Sequence, residues 1–419
     1  MRKAMTSEEI ASWRALRKRA WERLDPKFRT PRQMLGRQLA IGCVSLEITQ
    51  RCNLDCTLCY LSDLSESIPD PPLEEIKRRA DMIVAEWGPN TNVQISGGDP
   101  TLRKRDELVE IFRYCRSIGL LPALFTNGIL AKRDLLEELC EAGMTDLAYH
   151  VDLTQERPGY ATELELNEIR REYIENVRGL PTAVIFNTTV FSGNVHEVPE
   201  LVRFFRANAD VVGMCSFQLG ADTGRGVDRR PSPYRLTEMR EVIAKAFPHP
   251  LSWDTVQIGH PSCHSIVYTL QIGDHSVDAG DDPDLTETMF REFPDLEMDR
   301  TRPLVAAAKI VGAYMSKPKA AAQGLGWIGR KVLGNLGPLA KNRFRANKLS
   351  VFIQNFMDAD ALDEERVRNC SFMVATAEGT VSMCLHNSRR NEFLLVGVDR
   401  LLDNPAKRGR RRLETVNGA

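Results

Sequence analysis

The stretch Cys52-Asn53-Leu54-Asp55-Cys56-Thr57-Leu58-Cys59 brings three cysteines into eight residues, with three and then two residues between them. It follows an apolar segment, residues 44–49, which predicts a strand. Three thiolates this close together do not complete a structural zinc site, which takes four protein ligands, and no neighbouring Cys or His pair completes the set. They suit an iron-sulfur cluster with one iron left open to an outside ligand. The stretch therefore predicts a 4Fe-4S cluster on a loop that follows a strand.

This C-x3-C-x2-C spacing, followed by the aromatic Tyr60, resembles the signature of the radical S-adenosylmethionine (radical SAM) superfamily. The resemblance implies that Cys52, Cys56 and Cys59 bind the cluster, and that the open iron chelates the amino and carboxylate groups of S-adenosylmethionine. It also implies an enzyme that cleaves this cofactor reductively to a 5′-deoxyadenosyl radical, which abstracts hydrogen from an unactivated carbon. The expected electron donor is a reductant protein such as a flavodoxin or a ferredoxin.

Composition is consistent with a cytoplasmic enzyme. The 56 basic and 57 acidic residues nearly cancel, so the net charge gives no reason to expect a nucleic-acid partner. Ten cysteines without a recognisable signal peptide indicate a reducing compartment rather than a disulfide framework. No run of about 18 uninterrupted apolar residues occurs, so a membrane-spanning helix is not expected, although association with the inner face of the membrane stays open.

Strand and helix patterns alternate behind the cysteine loop. Strands are predicted at 44–49, 93–96, 123–126, 146–152, 182–190 and 214–219, with amphipathic helices between them. Six such units predict an α/β fold, a partial (β/α)6 barrel of the TIM type, as in the superfamily. We expect an N-terminal helical lead-in over residues 1–40, the barrel over 41–230, and a C-terminal α+β cap over 231–419 that closes the barrel's open side.

Two short segments at predicted strand ends are candidates for binding the cofactor. Gly97-Gly98-Asp99 resembles the GGE segment of the superfamily, whose exposed backbone and acid hold the amino group of the cofactor, with Asp99 in place of glutamate. Missing side chains at the two glycines would allow a ligand close to the backbone. Thr126-Asn127-Gly128 resembles a segment that many members have near the cofactor, and a simple Asn-Gly turn is the alternative.

Polar residues on the later strands are candidates for lining the barrel lumen. Alternation places His150 and Asp152 on one face of the fourth strand, where they are either catalytic or satisfied core residues. Asn187 on the fifth strand and Gln218 on the sixth are candidate cofactor contacts, by resemblance to a family that often has polar residues at such positions.

Three cysteines outside the barrel, Cys263, Cys370 and Cys384, are candidate ligands of a second iron-sulfur cluster, with isolated structural cysteines as the alternative. Cys370 and Cys384 flank a predicted hairpin, in which a three-residue loop would pair residue 384 with residue 372. Such clusters are common in C-terminal extensions of radical SAM enzymes, but the dense CxxC arrays of the SPASM type are absent here. The fourth ligand is expected from the substrate or from a histidine: His260, His264 or His386.

Residues 316–348 contain eight basic and no acidic residues, interleaved with apolar ones. This pattern favours a lipid or another apolar substrate and a peripheral membrane contact, with a solvated helix face as the alternative. Within the radical SAM interpretation, a peptide or a small polar metabolite is the alternative substrate. A non-catalytic iron-sulfur electron-transfer protein is the alternative function.

Overall fold

Six parallel strands form the centre of the fold. The computed structural model describes residues 6–225, 234–296 and 303–394. The strands are β1 (Cys43–Thr49), β2 (Asn92–Gly97), β3 (Leu121–Thr126), β4 (Asp146–His150), β5 (Ala183–Val190) and β6 (Val212–Leu219), and each pairs in parallel with the next. They lie within two residues of the predicted bounds. The predicted α/β fold with six strand-helix units is confirmed.

Amphipathic helices cover the outer face of these strands. They are α2 (Leu73–Trp87), α3 (Arg105–Ser117), α4 (Arg133–Ala142), α5 (Asn167–Val177) and α6 (Val198–Ala207), preceded by α1 (Ser7–Arg23) in the N-terminal part. Outward strand side chains such as Leu46, Ile95 and Phe186 are buried against them in one continuous core. Cys115 on α3 is part of this core, as its position on the apolar face of the helix suggests. The inward side chains are left to line the barrel lumen.

The C-terminal third of the chain extends this same sheet at both ends. Its strands are β7 (His264–Ile272), β8 (His275–Asp278), β9 (Asn347–Asn355), β10 (Phe372–Ala375) and β11 (Thr380–Ser382). The sheet has the order β11-β10-β1-β2-β3-β4-β5-β6-β9-β7-β8, with β10 parallel to β1 and β9 parallel to β6. The expectation of a separate C-terminal cap is therefore wrong in this respect, because strand pairing across the sheet joins the two parts.

One finer expectation about this region needs correction. The hairpin pairs Met373 with Ser382, so residue 372 faces position 383 rather than 384, and a helix begins at Met383. The predicted boundary at about residue 230 lies outside the described residues and stays a prediction. The remaining helices are α7 (Leu236–Ala244), α8 (Pro283–Glu292), α9 (Pro303–Met315), α10 (Pro318–Leu333), α11 (Leu336–Lys341), α12 (Glu364–Arg368) and α13 (Met383–Ser388).

Helices close the side of the barrel on which the two sheet edges do not pair. The edge strands β8 and β11 have no hydrogen-bonded pairing with one another among the described residues. Side chains from α1, α8, α9 and α10 contribute to the wall of the lumen, together with the strands. No helix in the described ranges is both long and apolar enough to cross a membrane.

Candidate functional site

A cavity of about 2970 Å³ occupies the barrel lumen. Alternate strand residues line it, such as Ser45 and Glu47 on β1, and Gln94 and Ser96 on β2. The carboxyl ends of the parallel strands open at one end of this cavity, where sites are built in barrels of this kind. All three cysteines of the 52–59 loop line the cavity there.

The cysteine loop is tied to neighbouring strand ends by specific hydrogen bonds. The Tyr60 hydroxyl donates to the Gly97 carbonyl at 2.6 Å, and the side-chain amide of Asn127 donates to Asn53 Oδ1 at 2.7 Å. The Thr57 amide donates to the Thr154 carbonyl at 2.8 Å. Cys52, Cys56 and Cys59 remain partly accessible, as a loop that receives a cluster requires. Sequence reasoning gave Tyr60 only as a motif position, and its link to the glycine loop depends on the fold.

Burial raises the pKa of Cys52 and Cys56. Cys59 raises both further, and Cys52 also adds to the shift of Cys56. Both are therefore neutral thiols at neutral pH in the metal-free protein. Iron-sulfur ligation needs thiolates, so cluster binding at these residues releases protons. The chemistry of this donor set, three thiols at one cavity mouth, fits a cluster with one open iron.

Arg225 is the cation beside this loop. It lies within reach of Cys59, and although burial lowers the pKa of the guanidinium, the neighbouring Cys59 and the acidic side chains raise it overall. The guanidinium also donates to the Leu54 carbonyl at 3.3 Å and ion-pairs with Asp55 at 3.4 Å. Sequence analysis missed Arg225, since its loop, residues 220–226, carries no motif that assigns the arginine a role.

Packing against the neighbouring strand end also requires glycine at positions 97 and 98. A Cβ atom on Gly97 would lie 1.9 Å from the Thr49 carbonyl oxygen, and one on Gly98 would lie 2.0 Å from the Arg51 carbonyl oxygen. Gly97 also has φ +125°, which disfavours any L side chain. The glycines therefore let the β2 loop pack against the backbone at the end of β1, beside the cysteines.

The Asp99 carboxylate joins the two predicted cofactor segments and is fully buried. Its oxygens accept hydrogen bonds from the Thr126 hydroxyl at 2.8 Å, the backbone N–H of Asn127 at 2.8 Å and the backbone N–H of Thr101 at 2.9 Å. The structure thus brings Gly97, Gly98, Thr126 and Asn127 together at the cavity, as predicted, since all four line it. Asp99 does not line the cavity, so it fixes the positions of these residues.

His150 and Asp152 form a bonded pair of which only His150 lines the cavity. His150 Nε2 lies 2.6 Å from Asp152 Oδ2, and the Thr189 amide donates to the same oxygen at 2.8 Å. Burial lowers the pKa of His150, but the Asp152 carboxylate outweighs it and raises the pKa above its usual value. Burial by itself would raise the pKa of Asp152, and His150 lowers it to about 2. Asp152, predicted to share the lumen, is instead the buried partner that orients His150.

Asn187 and Gln218 both line the cavity, on adjacent strands. The register places Asn187 opposite Ser216, and Thr189 opposite Gln218, so four polar side chains alternate along one inward face. They lie on the strands that follow His150 in the sheet.

A buried ion pair that sequence analysis missed lies at the same end of the lumen. Arg390 binds Glu47 through two hydrogen bonds of 2.8 Å, and its guanidinium stacks over the Tyr60 ring at 4.6 Å. Burial alone would raise the pKa of Glu47, but Arg390 holds it at about 2. The two residues are 343 positions apart, so no local pattern identifies the pair.

Comparison with known proteins identifies the part of the chain that holds this site. Residues 46–205 match the family model described as the radical SAM superfamily. They contain the cysteine loop, the glycine loop and β2 to β5. These residues are a radical SAM domain. The family binds a 4Fe-4S cluster and S-adenosylmethionine and is a family of enzymes, as the motifs imply.

Curated relatives match the radical SAM domain and differ from one another in what their names say they act on. A 7,8-dihydro-6-hydroxymethylpterin dimethyltransferase of Methanocaldococcus jannaschii is 34% identical over 199 residues, 46% of this chain and 39% of that protein. A PqqA peptide cyclase of Methylobacterium nodulans is 31% identical over 173 residues, 37% and 41% of the two chains. An Fe-coproporphyrin III synthase of Methanosarcina barkeri is 26% identical, over 47% and 48%. The chain thus spans less than half the length of these relatives.

Similar solved structures include SuiB of Streptococcus suis bound to S-adenosylmethionine, at 18% identity. The match covers 48% of this chain and 46% of SuiB, with a TM-score of 0.36. The hydrogenase maturase HydG of Carboxydothermus hydrogenoformans is 13% identical over 61% of this chain and 59% of HydG, also with a TM-score of 0.36.

The fold brings the segments that carry Cys263, Cys370 and Cys384 to one end of the sheet. His264 Nε2 hydrogen-bonds to the Ser371 hydroxyl, and its ring packs against Phe372 at 4.5 Å, which sets Cys263 beside Cys370. The hairpin of β10 and β11 brings Cys384 to the same end. Burial raises the pKa of Cys263 to about 11 and that of Cys384 to about 12, and Cys370 adds to both shifts. None of the three lines the cavity, and their joint binding of a cluster stays a prediction.

The histidines proposed to complete this group are engaged elsewhere. His264 also bonds to Gln354 Oε1 at 2.6 Å, and His260 lies 3.0 Å from Glu365 while accepting from the Ser262 amide. His386 is buried close to Glu47, which partly opposes the lowering of its pKa by burial. Within the described residues, no three His, Cys, Asp or Glu side chains form a group that could hold a single metal ion. A cluster differs from such a site, because its cysteines bind separate irons.

Proposed function

We propose that the chain is a radical SAM enzyme in which Cys52, Cys56 and Cys59 hold the cluster at the mouth of the barrel. The observation that carries the proposal is the shared cavity wall, on which the three cysteines meet Gly97, Gly98 and Asn127. Cluster and S-adenosylmethionine, when bound, supply a 5′-deoxyadenosyl radical that removes hydrogen from an unactivated carbon. A flavodoxin- or ferredoxin-type protein is the proposed reductant.

In this proposal the chain's residues position the cofactor and shape the lumen. Backbone groups of Gly97 and Gly98 bind the methionine end, and Asp99 keeps Thr126 and Asn127 in register with them. Asn187 and Gln218, farther along the wall, bind the polar groups of the nucleoside end. Donors and acceptors that are already fixed in place lose little conformational entropy when the cofactor binds. Asp99 fixes Thr126 and Asn127 in this way, although it does not itself contact the cofactor.

His150 is the proposed catalytic group of the lumen. Because Asp152 raises its pKa, the imidazole keeps its proton to a higher pH than a free histidine does and presents a proton donor toward the substrate. Asp152 acts as a positioning residue, since it holds Nε2 at 2.6 Å and has no surface in the cavity. The pair could hold a proton next to the carbon centre on which the radical acts.

A lipid or another long apolar molecule is the proposed substrate. The cavity volume of about 2970 Å³ is roughly threefold above the upper range of small-molecule pockets, about 1,000 Å³. Its far wall is apolar and comes from α9 and α10, where Ile310, Val311, Leu325 and Ile328 line the lumen. A chain of methylene groups satisfies such a wall, whereas a polar molecule would leave it in contact with water.

The end of α10 and the segment that follows it support a contact with an anionic membrane. Leu333 and Phe344 are 71% and 69% exposed, and Leu336 beside them is also exposed. Lys341, Arg343 and Arg345 flank Phe344, and no acidic residue occurs within 316–348. Three other basic residues of the segment form ion pairs with acidic residues outside it and contribute less: Lys317, Arg330 and Lys331. Apolar insertion with basic flanks is the pattern of interfacial helices.

The test is cofactor cleavage by anaerobically reconstituted protein supplied with a chemical reductant. We expect 5′-deoxyadenosine to form, and to form faster when phospholipid vesicles are added. Cys56→Ala serves as the inactive control and Cys140→Ser, a thiol outside both cysteine groups, as the active one. Absence of 5′-deoxyadenosine from protein with a full cluster would leave the non-catalytic electron-transfer alternative.

Substrate class is tested separately. Lipids, peptides and small metabolites are compared by mass spectrometry in cells with and without the protein. The names of the relatives, which include a pterin dimethyltransferase and a peptide cyclase, keep a peptide or a polar metabolite as the alternative. A change confined to peptides or polar metabolites would refute the lipid proposal while preserving the radical SAM assignment.

A further inference from the structure

We infer that Cys263, Cys370 and Cys384 bind a second iron-sulfur cluster, walled off from the substrate cavity. The three residues come from the start of β7, the segment before β10 and the first turn of α13. Each is buried and none forms a disulfide. A structural role alone would not require three thiols from separate segments to meet at one place.

Charge around the group supports an anionic occupant. Arg366 donates from Nε to Cys263 Sγ at 3.4 Å and from Nη2 to the Asn355 carbonyl. In the described part of the chain no carboxylate lies within ion-pair distance of this guanidinium. Arg23 donates to the Cys370 carbonyl at 2.9 Å. Arg366 therefore lies beside the Cys263 sulfur without a carboxylate at ion-pair distance, and a cluster held by three thiolates provides a counter-charge.

Hydrogen bonding shows how the site would accept the cluster. The Cys370 thiol donates to the Phe372 carbonyl at 2.9 Å, a bond that ends when the thiol loses its proton. The Met357 amide is directed at the Cys384 sulfur, and amide hydrogen bonds to cluster sulfurs are a usual feature of iron-sulfur sites. Three protons leave as the cluster binds, so the site favours loading at higher pH.

The position of the group separates it from the substrate. Phe352 and Phe372 line the cavity, whereas none of the three cysteines does. These three cysteines are therefore out of reach of a substrate in the cavity, whereas the cysteine loop at the barrel mouth lines it. The inference does not depend on the reaction of the first site, because it concerns ligands that the first site does not use.

Iron and acid-labile sulfide are measured in reconstituted full-length protein in which Cys52, Cys56 and Cys59 are all changed to alanine. We expect about four irons and four sulfides per chain, with the absorption and Mössbauer signals of a cubane. Adding Cys384→Ala to this variant should remove them, whereas adding Cys140→Ser should not. A folded triple variant with no cluster, or with adventitious iron only, overturns the inference.

A second measurement does not depend on losing any cysteine. Arg366→Gln should lower the reduction potential of the second cluster, because removing a nearby cation destabilises the more negative reduced form. Arg368→Gln, on the same helix but more than half exposed and near Glu364, is the matched control and should leave the potential unchanged. Equal potentials in the two variants would contradict the placement of the cluster beside Cys263.

Discussion

The two cysteine groups of this chain differ in how the sequence and the fold assemble them. Cys52, Cys56 and Cys59 lie within eight residues, are partly accessible and face the cavity. Cys263, Cys370 and Cys384 are spread over more than a hundred residues, are buried and do not reach the cavity. Both groups have an arginine beside one sulfur, Arg225 in the first and Arg366 in the second. A local loop can present an open iron to a ligand, whereas a buried site assembled at long range suits a cluster that is kept from solvent.

The largest expected effect separates the two groups by activity. Cys56→Ala should reduce 5′-deoxyadenosine formation to background, because the cofactor needs the open iron of the first cluster. Cys384→Ala should keep at least about a third of the wild-type rate, since a cluster outside the cavity does not contact the cofactor. The measurement is initial rate by chromatography, normalised to folded protein. Background activity in a folded Cys384→Ala variant would make the two groups one functional unit.

The next effect separates them by accessibility. In metal-free protein at pH 8, iodoacetamide should label the first group at least about tenfold faster than the second, because the first group is partly accessible and the second is buried. Labelling is followed by peptide mass spectrometry over time, with buried Cys115 as the slow reference. Equal rates would mean that the second group opens readily without metal.

Asp99→Ala tests whether the first group depends on its neighbouring loop. The change leaves the Thr126 hydroxyl and the Asn127 amide without their acceptor, at about 1–3 kcal/mol for each unsatisfied buried group. We expect affinity for S-adenosylmethionine to fall by about tenfold or more, measured by equilibrium binding to the reconstituted protein. Asp106→Asn, an exposed acid at the start of α3, is the control. Iron bound by either cysteine group should not change.

The smallest effect concerns pH and involves a residue near the first group only. The folded-state pKa of His150 is raised, so its contribution to stability is fully present below the unfolded pKa of about 6.5 and is lost as pH rises through the folded value. The difference in unfolding free energy between wild type and His150→Gln should therefore shrink from about pH 6 upward. Denaturant titrations at several pH values measure it. A difference that grows with pH would contradict the assignment of His150 as protonated.

Local signals determined what could be predicted from the sequence. Strand ends, the cysteine loop and the meeting of the Gly97 and Thr126 segments follow from spacing and from the rule that parallel strands end at one edge. The pairing of Glu47 with Arg390 and the joining of β9 and β10 to the barrel could not be predicted, because they depend on residues far apart in the chain. The role of Asp152 was misjudged for a related reason. Period-two alternation would place Asp152 on the face of His150. However, the strand ends at His150, and beyond it the Asp152 carboxylate is directed into the interior, where it accepts buried hydrogen bonds.

Both ends of the central run of parallel strands are completed by the last third of the chain, and this constrains how the protein is made. As the chain leaves the ribosome, one edge of β1 stays unpaired until β10 has been made, about 320 residues later, and one edge of β6 stays unpaired until β9 has been made. Contacts of such long range form slowly and leave unpaired edges exposed meanwhile. The cysteine loop emerges long before its neighbour strand β10, so delivery of iron and sulfide is expected to follow synthesis rather than accompany it. A chain that stops near residue 230 should aggregate through those edges instead of forming a smaller barrel.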